Sequence, residues 1–306
     1  METLYITHPS CPLHEMGDWH PECPARLTAI HEQLVAEGLL DHLTRVQAIP
    51  ATREQVLRIH TAEYVDYLVA HQPKTGYFPL DPDTSMNPHS LDAAWAAAGA
   101  GVTAVDAIMR GRAGAAFCAV RPPGHHACRS HAMGFCFFNN VAVAVAHGLQ
   151  THGLRRVAII DFDVHHGNGT EEAFAGNPQV LMCSFYQHPF YPGRSGPAAD
   201  NMVNVPVSAH TQGAEIRRIV TDVWLPRLAQ FAPEFIFVSA GFDAHRDDDL
   251  AQLDLLEDDY DWLTRQVVAQ ADASAQGRTV SLLEGGYNLN ALGRSAAAHV
   301  RALARL

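Results

Sequence analysis

No C-x-x-C pair occurs in the sequence, and its six cysteines (positions 11, 23, 118, 128, 136 and 183) are scattered. That spacing argues against a thiolate zinc site and against a disulfide framework, and it leads us to expect a reduced, cytoplasmic setting. Basic side chains are scarce: 21 Lys and Arg stand against 33 Asp and Glu, a net charge of −12. Such a balance disfavours non-specific binding to nucleic acid and favours cationic partners. No uninterrupted apolar run approaches the roughly 18 residues that span a bilayer, so no membrane role is expected. The longest relevant stretches are Val141–Ala146 and Phe235–Ala240. The opening METLYITHPSCPLHE has neither the basic nor the apolar region of a signal peptide. Repeats, low-complexity stretches and flexible linkers are absent too. With 47% hydrophobic and 18% charged residues over 306 positions, the expectation is one globular α/β domain spanning 1–306. With no appended tail or second domain, no partner is expected to be recruited through such a segment; the sequence does not give the oligomeric state, and a homo-oligomer stays open.

Histidine is what the chain has in plenty: 19 of them, dispersed rather than clustered as a tag. Imidazole is the commonest metal ligand and the usual proton shuttle near neutral pH.

Short apolar, β-branched runs recur at Val157–Asp163, Val180–Phe185, Phe235–Ala240 and Thr279–Leu283, with a weaker one at Ala115–Val120. Apolar at every position, they predict strands of a parallel sheet covered on both faces. Helical stretches lie between them. One starts at Ser90, read as an N-cap, and stops at Gly111; another carries Ile216, Ile219, Val220 and Val223 on one stripe, with Pro226 predicting a kink. Val141–Ala146 has no decisive period, and its Ala-rich surroundings predict helix. Asn288 to Leu306 predicts a closing helix. The alternation gives a doubly wound α/β fold, an open, mostly parallel sheet with helices on both faces.

Four unusual clusters follow predicted strands: RPPGHHA, DFDVHHGNG, GFDAHRDDD and EGGY. Strand ends of a parallel sheet converge on one crevice, where ligands bind. Asp163 and His165, two apart on an extended backbone, would point to one side, and Asp243 can add a third metal ligand. His125 and His126 read as a proton-transfer pair, and Tyr287, after two glycines, can donate to a developing oxyanion. Taken alone, each of these residues has a blander reading as a cap, a core histidine or a turn.

The motifs RPPGHHA (121–127), GFCFFNNVAVA (134–144), DFDVHHGNGT (161–170), VSAGFDAHRDD (238–248) and LEGGYNL (283–289), with HPECPARL (20–27), resemble those of the histone deacetylases. The likeness is to the zinc-dependent superfamily, nearest its class II branch and bacterial amidohydrolase relatives, and it runs through essentially the whole chain. It implies the arginase–deacetylase fold and one Zn2+ per chain on Asp163, His165 and Asp243, with Fe2+ as an alternative native ion. It makes His126 the general base and His125 its electrostatic partner. Tyr287 becomes the oxyanion donor, and Asp161 the carboxylate behind His125. Asn168 stands where class I members carry Asp, which would make His126 less basic. A structural K+ is implied on Asp161, Asp163, His165, Ser184 and Phe185, while His166 should point away from the metal. Phe135 and Tyr191 would sandwich the acyl-chain stem, Gly134 would keep the wall thin, and Leu250 stands at a rim position that is acidic in polyamine-preferring members. Asp247, Asp248 and Asp249 beside it read as a solvated loop.

The expected reaction is therefore hydrolysis of an N-acetyl amide, of acetyl-lysine type, to acetate and free amine. The alternatives are a small-molecule amidohydrolase acting on acetylpolyamines or other amides, and a catalytically inactive module that binds acyl-lysine. A two-manganese site of arginase type is disfavoured, because DAHRD (243–247) has no companion D-x-D-x-x-D cluster.

Overall fold

A computed structural model describes residues 2–193 and 199–306. The strands are β1 (Thr3–Thr7), β2 (Thr44–Gln47), β3 (Phe78–Pro79), β4 (Ser85–Met86), β5 (Ala115–Cys118), β6 (Val157–Asp161), β7 (Val180–Gln187), β8 (Met202–Val207), β9 (Phe235–Ala240) and β10 (Thr279–Leu283). The helices are α1 (Ala25–Ala36), α2 (Arg53–Leu57), α3 (Ala62–His71), α4 (Ser90–Met109), α5 (Asn140–His152), α6 (Asn168–Phe174), α7 (Gly213–Ile219), α8 (Leu225–Phe231), α9 (Glu257–Ser274) and α10 (Leu289–Leu303). Eight strands form one sheet in the order β2-β1-β5-β10-β9-β6-β7-β8, every neighbouring pair parallel. β3 and β4 make a separate antiparallel ribbon.

The all-apolar strands are explained by what covers them. Along β6, Val157 and Ile159 pack on one side with α4 and α5, while Ala158 and Ile160 pack on the other with α1, α9 and α10. β9 divides the same way, Phe235 and Phe237 against Ile236, Val238 and Ala240. Neither face meets water, so no polar alternation arises. Outer strands lacked that signature and were not foreseen: β2 alternates between half-buried and exposed residues, and β8 is only partly buried.

Several local expectations are revised. α4 does begin at Ser90, but His89 occupies the cap position; the Ser90 hydroxyl instead contacts His14 Nδ1 at 2.8 Å and Asn87 Oδ1 at 3.0 Å. α4 is also long and apolar enough by composition to cross a membrane, although Asp92 and Asp106 interrupt its apolar run. Seventy-two per cent of that window is buried inside the molecule, so its apolarity serves the core. The interruption near Pro226 is a π-helical turn at Val220–Trp224, upstream of the proline, which sits in the first turn of α8. Val141–Ala146 lies in α5, opened by Asn139 accepting from the Ala142 amide at 3.0 Å. β5 and β6 end at Cys118 and Asp161, short of the predicted Val120 and Asp163.

Candidate active site and metal centre

β5, β10, β9 and β6 are adjacent in the sheet, so the four loops that leave their carboxyl ends are neighbours. The chain bends after Asp161 rather than continuing extended, so the alternation argument for Asp163 and His165 does not hold. The bend brings them together another way: Asp163 Oδ1 accepts from the His165 amide at 2.8 Å and lies 3.0 Å from His165 Nδ1. Asp243 Oδ2 reaches the same Nδ1 at 3.2 Å, while its Oδ1 accepts from the Val164 amide at 2.9 Å. Ligand atoms of Asp163, His165 and Asp243 all lie within 4.8 Å of one another, and all three residues are buried.

Asp163 Oδ2 accepts from the Gly285 amide at 2.8 Å. A Cβ on Gly285 would stand 1.9 Å from Asp243 Oδ2, so only glycine lets the β10 loop close over the carboxylates. Burial pushes Asp243 up to about 7, and the charge of Asp163 adds to it. Burial opposes the charged form of His165, but its bonds to Asp163 and Asp243 lift it to about 10. Two buried carboxylates that compete for one imidazole proton make a place for a cation. An oxygen, oxygen, nitrogen donor set fits a divalent ion such as zinc or ferrous iron.

Beside this group stand the two histidines. His125 Nδ1 meets Asp161 Oδ2 at 3.1 Å, and its Nε2 lies 3.8 Å from Asp163 Oδ1. Burial works against a charge on His125, yet Asp163 and Asp161 outweigh it and hold its pKa well above the ordinary value. His126 behaves oppositely: burial, then the positive charge on His125 and His165, depresses it well below the ordinary value. Its Nδ1 faces Asn168 Oδ1 at 2.7 Å. The Asn168 amide nitrogen faces only acceptors, His126 O at 3.4 Å, Cys128 Sγ at 3.3 Å and Met133 Sδ at 3.4 Å. That orientation makes Oδ1 the acceptor, puts the His126 proton on Nδ1 and leaves Nε2 a free lone pair.

Tyr287 is held through its backbone. Asp248 Oδ2 accepts from the amides of Tyr287 and Asn288 at 2.6 and 3.0 Å, and its Oδ1 from that of Leu250 at 3.0 Å. Asp248 is thus buried, contrary to the solvated loop expected; Asp247 and Asp249 are the exposed members. The Arg26 guanidinium lies 4.9 Å from the Tyr287 ring centroid and donates to Gly286 O at 2.6 Å and Glu284 O at 2.5 Å. Glu22 pairs with both Arg26 and Arg121, which places the HPECPARL segment behind the site. Burial, with Asp243 adding, raises the Tyr287 hydroxyl well above 10, so it stays a proton donor.

A cavity of about 190 Å3 opens onto these groups, lined by His126, Gly134, Phe135, His165, Tyr191, Leu250 and Tyr287, with Asp83 and Phe190. Phe135 packs edge-on against Tyr287 at 5.8 Å, and Tyr191 edge-on against His126 at 5.1 Å. Gly134 has φ +56, and a Cβ there would meet the His126 ring at 2.5 Å. Asp83 and Phe190 were missed from sequence. Phe190 stacks 5.6 Å from the His165 ring and was readable only as the neighbour of Tyr191; Asp83 lies in a loop without a motif. His166 turns away, its Nε2 2.5 Å from Glu171 Oε2. Ser184 stands opposite Asp161 in the β6–β7 register, and its hydroxyl donates to Phe185 O at 3.2 Å. Ser239, opposite Asp161 on the other side, has a buried hydroxyl with no hydrogen-bond partner among the described residues.

The histone deacetylase domain family matches residues 20–303. The chain belongs to the histone deacetylase family. A histone deacetylase-like amidohydrolase of Pseudomonas aeruginosa is 37% identical over 279 residues, 88% of this chain and 73% of its own length. The human polyamine deacetylase HDAC10 is 36% identical over 306 residues, 92% of this chain and 45% of its own length. The crystal structure of an HDA15 HD domain superposes with a TM-score of 0.93 at 35% identity, covering 99% of this chain and 90% of that one. This deacetylase therefore has the arginase–deacetylase fold foreseen from its motifs, and it is a hydrolase of a generally metal-dependent family.

Proposed function

We propose that the protein is a zinc-dependent deacylase that hydrolyses an N-acetyl amide of acetyl-lysine type to acetate and a free amine. The observation that carries this reading is a narrow, aromatic-walled cavity lined by His126, His165 and Tyr287. Asp163, His165 and Asp243 would hold the ion. When bound there, it supplies Lewis acidity toward the amide carbonyl and lowers the pKa of a bound water toward about 7. His126 Nε2 takes the proton of the attacking water and returns it to the departing nitrogen. His125, kept charged by Asp161 and Asp163, stabilises the negative charge that grows beside it. The Tyr287 hydroxyl donates to the carbonyl oxygen as it becomes an oxyanion, a donor worth roughly 3–4 kcal/mol. Phe135 and Tyr191 exclude water from the acyl stem, Gly134 leaves room for His126, and Leu250 presents an apolar rim. Asp161, Asp163, His165, Ser184 and Phe185 are proposed to supply oxygens to a structural K+, a reading supported by the Ser239 hydroxyl beside Asp161, which has no partner among the described residues.

A second reading, hydrolysis of small acetylated amines such as acetylpolyamines, is favoured by Asp83 at the cavity. Leu250 speaks against it. Protein reconstituted with Zn2+ or with Fe2+ is assayed on an acetyl-lysine peptide, acetylspermidine and acetylputrescine. The first reading expects the peptide to give the highest kcat/KM; far faster turnover of the small amines gives the site to the second. No turnover of any of these with the metal bound would leave a binding module and refute both.

A further inference from the structure

A second group of ligating side chains lies at the other end of the sheet. Asp106 is near the end of α4, and His147 and His152 close α5, which leads into the start of β6. The groups just described cluster at the far end of β6, roughly 13 Å of strand away. We propose that Asp106, His147 and His152 form a separate binding site for a borderline divalent ion of the Zn2+, Ni2+, Cu2+ class.

Geometry is the first support. His147 Nε2 lies 2.8 Å and His152 Nε2 2.7 Å from the same oxygen, Asp106 Oδ1, and the three ligand atoms fall within 4.8 Å of one another. Five residues apart, the two histidines would stand roughly 140° apart around a regular helix. Their convergence depends on His152 being the last residue of α5, before Gly153 turns left-handed at φ +68. The rings cross nearly edge-on, 5.4 Å apart.

The surrounding charges decide which ion the site takes. Arg110 holds the other oxygen, Asp106 Oδ2, at 3.0 Å, which leaves Oδ1 as a single-point ligand. Arg58 Nη1 approaches His147 Nδ1 at 3.1 Å, so with no ion bound the ring carries its proton on Nε2 and gives it to Asp106. Ligation moves that proton to Nδ1, where Thr151 Oγ1 at 3.3 Å accepts it; Arg58 Nη1 must then turn from the ring to its other acceptor, the same Thr151 Oγ1 at 3.2 Å, while Nη2 keeps Glu54 at 3.4 Å. Two nearby guanidinium groups and only one carboxylate oxygen cannot hold Mg2+ or Ca2+, which need several oxygens. Ions that bond strongly to imidazole nitrogen remain. Of the three residues only Asp106 lines a neighbouring hollow of about 480 Å3, together with Thr103, Ala107 and Arg110, so the group is open to solvent on its carboxylate side.

The test is a count of bound metal on the full chain, equilibrated with micromolar Zn2+ and freed of unbound ion. The native chain is expected to hold two ions, Asp106→Asn and His152→Ala one each with peptide deacetylation retained, and Asp243→Ala one, in the outer site. The second equivalent should bind at least about tenfold more weakly in either outer-site variant, and Mg2+ should not compete for it. Metal counts in Asp106→Asn and His152→Ala equal to the native one would overturn the proposal. A native count of one that Asp243→Ala reduces to zero would do the same, leaving only a hydrogen-bonded cluster. His147, being buried, is left intact; should His152→Ala fail to fold, the isosteric Asp106→Asn decides.

Discussion

Asn168 sets where the His126 proton sits and how tightly the ring holds a second one. A neutral amide accepts from Nδ1 without the charge that would stabilise imidazolium, and His125 and His165 repel that charge further. The form with a free Nε2 thus persists well below pH 6.5, and turnover is lost only as pH falls through that depressed pKa. Asn168→Asp should raise the pKa and move the acid limb of kcat/KM to higher pH; an unmoved limb would exclude Asn168 as its cause. Tyr287→Phe removes one oxyanion donor and should cut kcat roughly a hundred- to a thousandfold, with metal content, checked by elemental analysis, unchanged. Residues of this kind were readable in the chain because each sits in a contiguous motif at a strand end. Asp83 was not, since no pattern marks the loop that brings it to the cavity. Nor was Asp248, whose carboxylate looks like its exposed neighbours until its three backbone partners are seen.

The loops after β9 and β10 are joined by a backbone bond, from the Phe242 amide to Gly285 O at 3.0 Å, and beyond it through side chains. Asp248 uses both oxygens, one on Leu250 at the rim and the other on Tyr287 and Asn288. Asp248→Ala leaves three amides without that acceptor and frees the tyrosine loop, so kcat should fall by more than KM changes. Asp248→Asn, which keeps one accepting oxygen, should fall between. Equal kinetics in Asp248→Ala and the native chain would show that the loop holds its shape unaided. Gly285→Ala forces a methyl group onto Asp243 and should drop bound metal below one catalytic ion per chain while circular dichroism is retained. The buried strands β5, β6, β7, β9 and β10 were legible from continuous apolar runs, whereas β2 and β8 are the edge strands, where solvent dilutes the pattern, and β1, although buried, is flanked by threonines at both ends. α5 was decided by its surroundings, because alternating Ala and Val carry no period when every face is covered. Convergence of Asp163 and His165 was foreseen, though on an extended geometry that the bend after Asp161 replaces.

Across the whole molecule, two carboxylates are buried against a single imidazole, so the folded chain and its ion stabilise each other. Chelation should abolish turnover and lower the melting temperature by several degrees, since saturation at about a hundred times Kd contributes roughly 2.7 kcal/mol. Re-addition of Zn2+ or Fe2+ should restore both, and an unchanged melting point would mean that the carboxylates need no cation. Helices on both faces and one crevice at the strand ends followed from alternation alone, but strand order did not, because apolar runs carry no label for their neighbours. β10, last of the strands in the chain, lies between β5 and β9 and delivers Glu284 to the Gly124 and His125 amides. During synthesis the pocket therefore stays unfinished until the stretch through Tyr287 has left the ribosome, and a product stopped before β10 has no working centre with which to deacylate its neighbours.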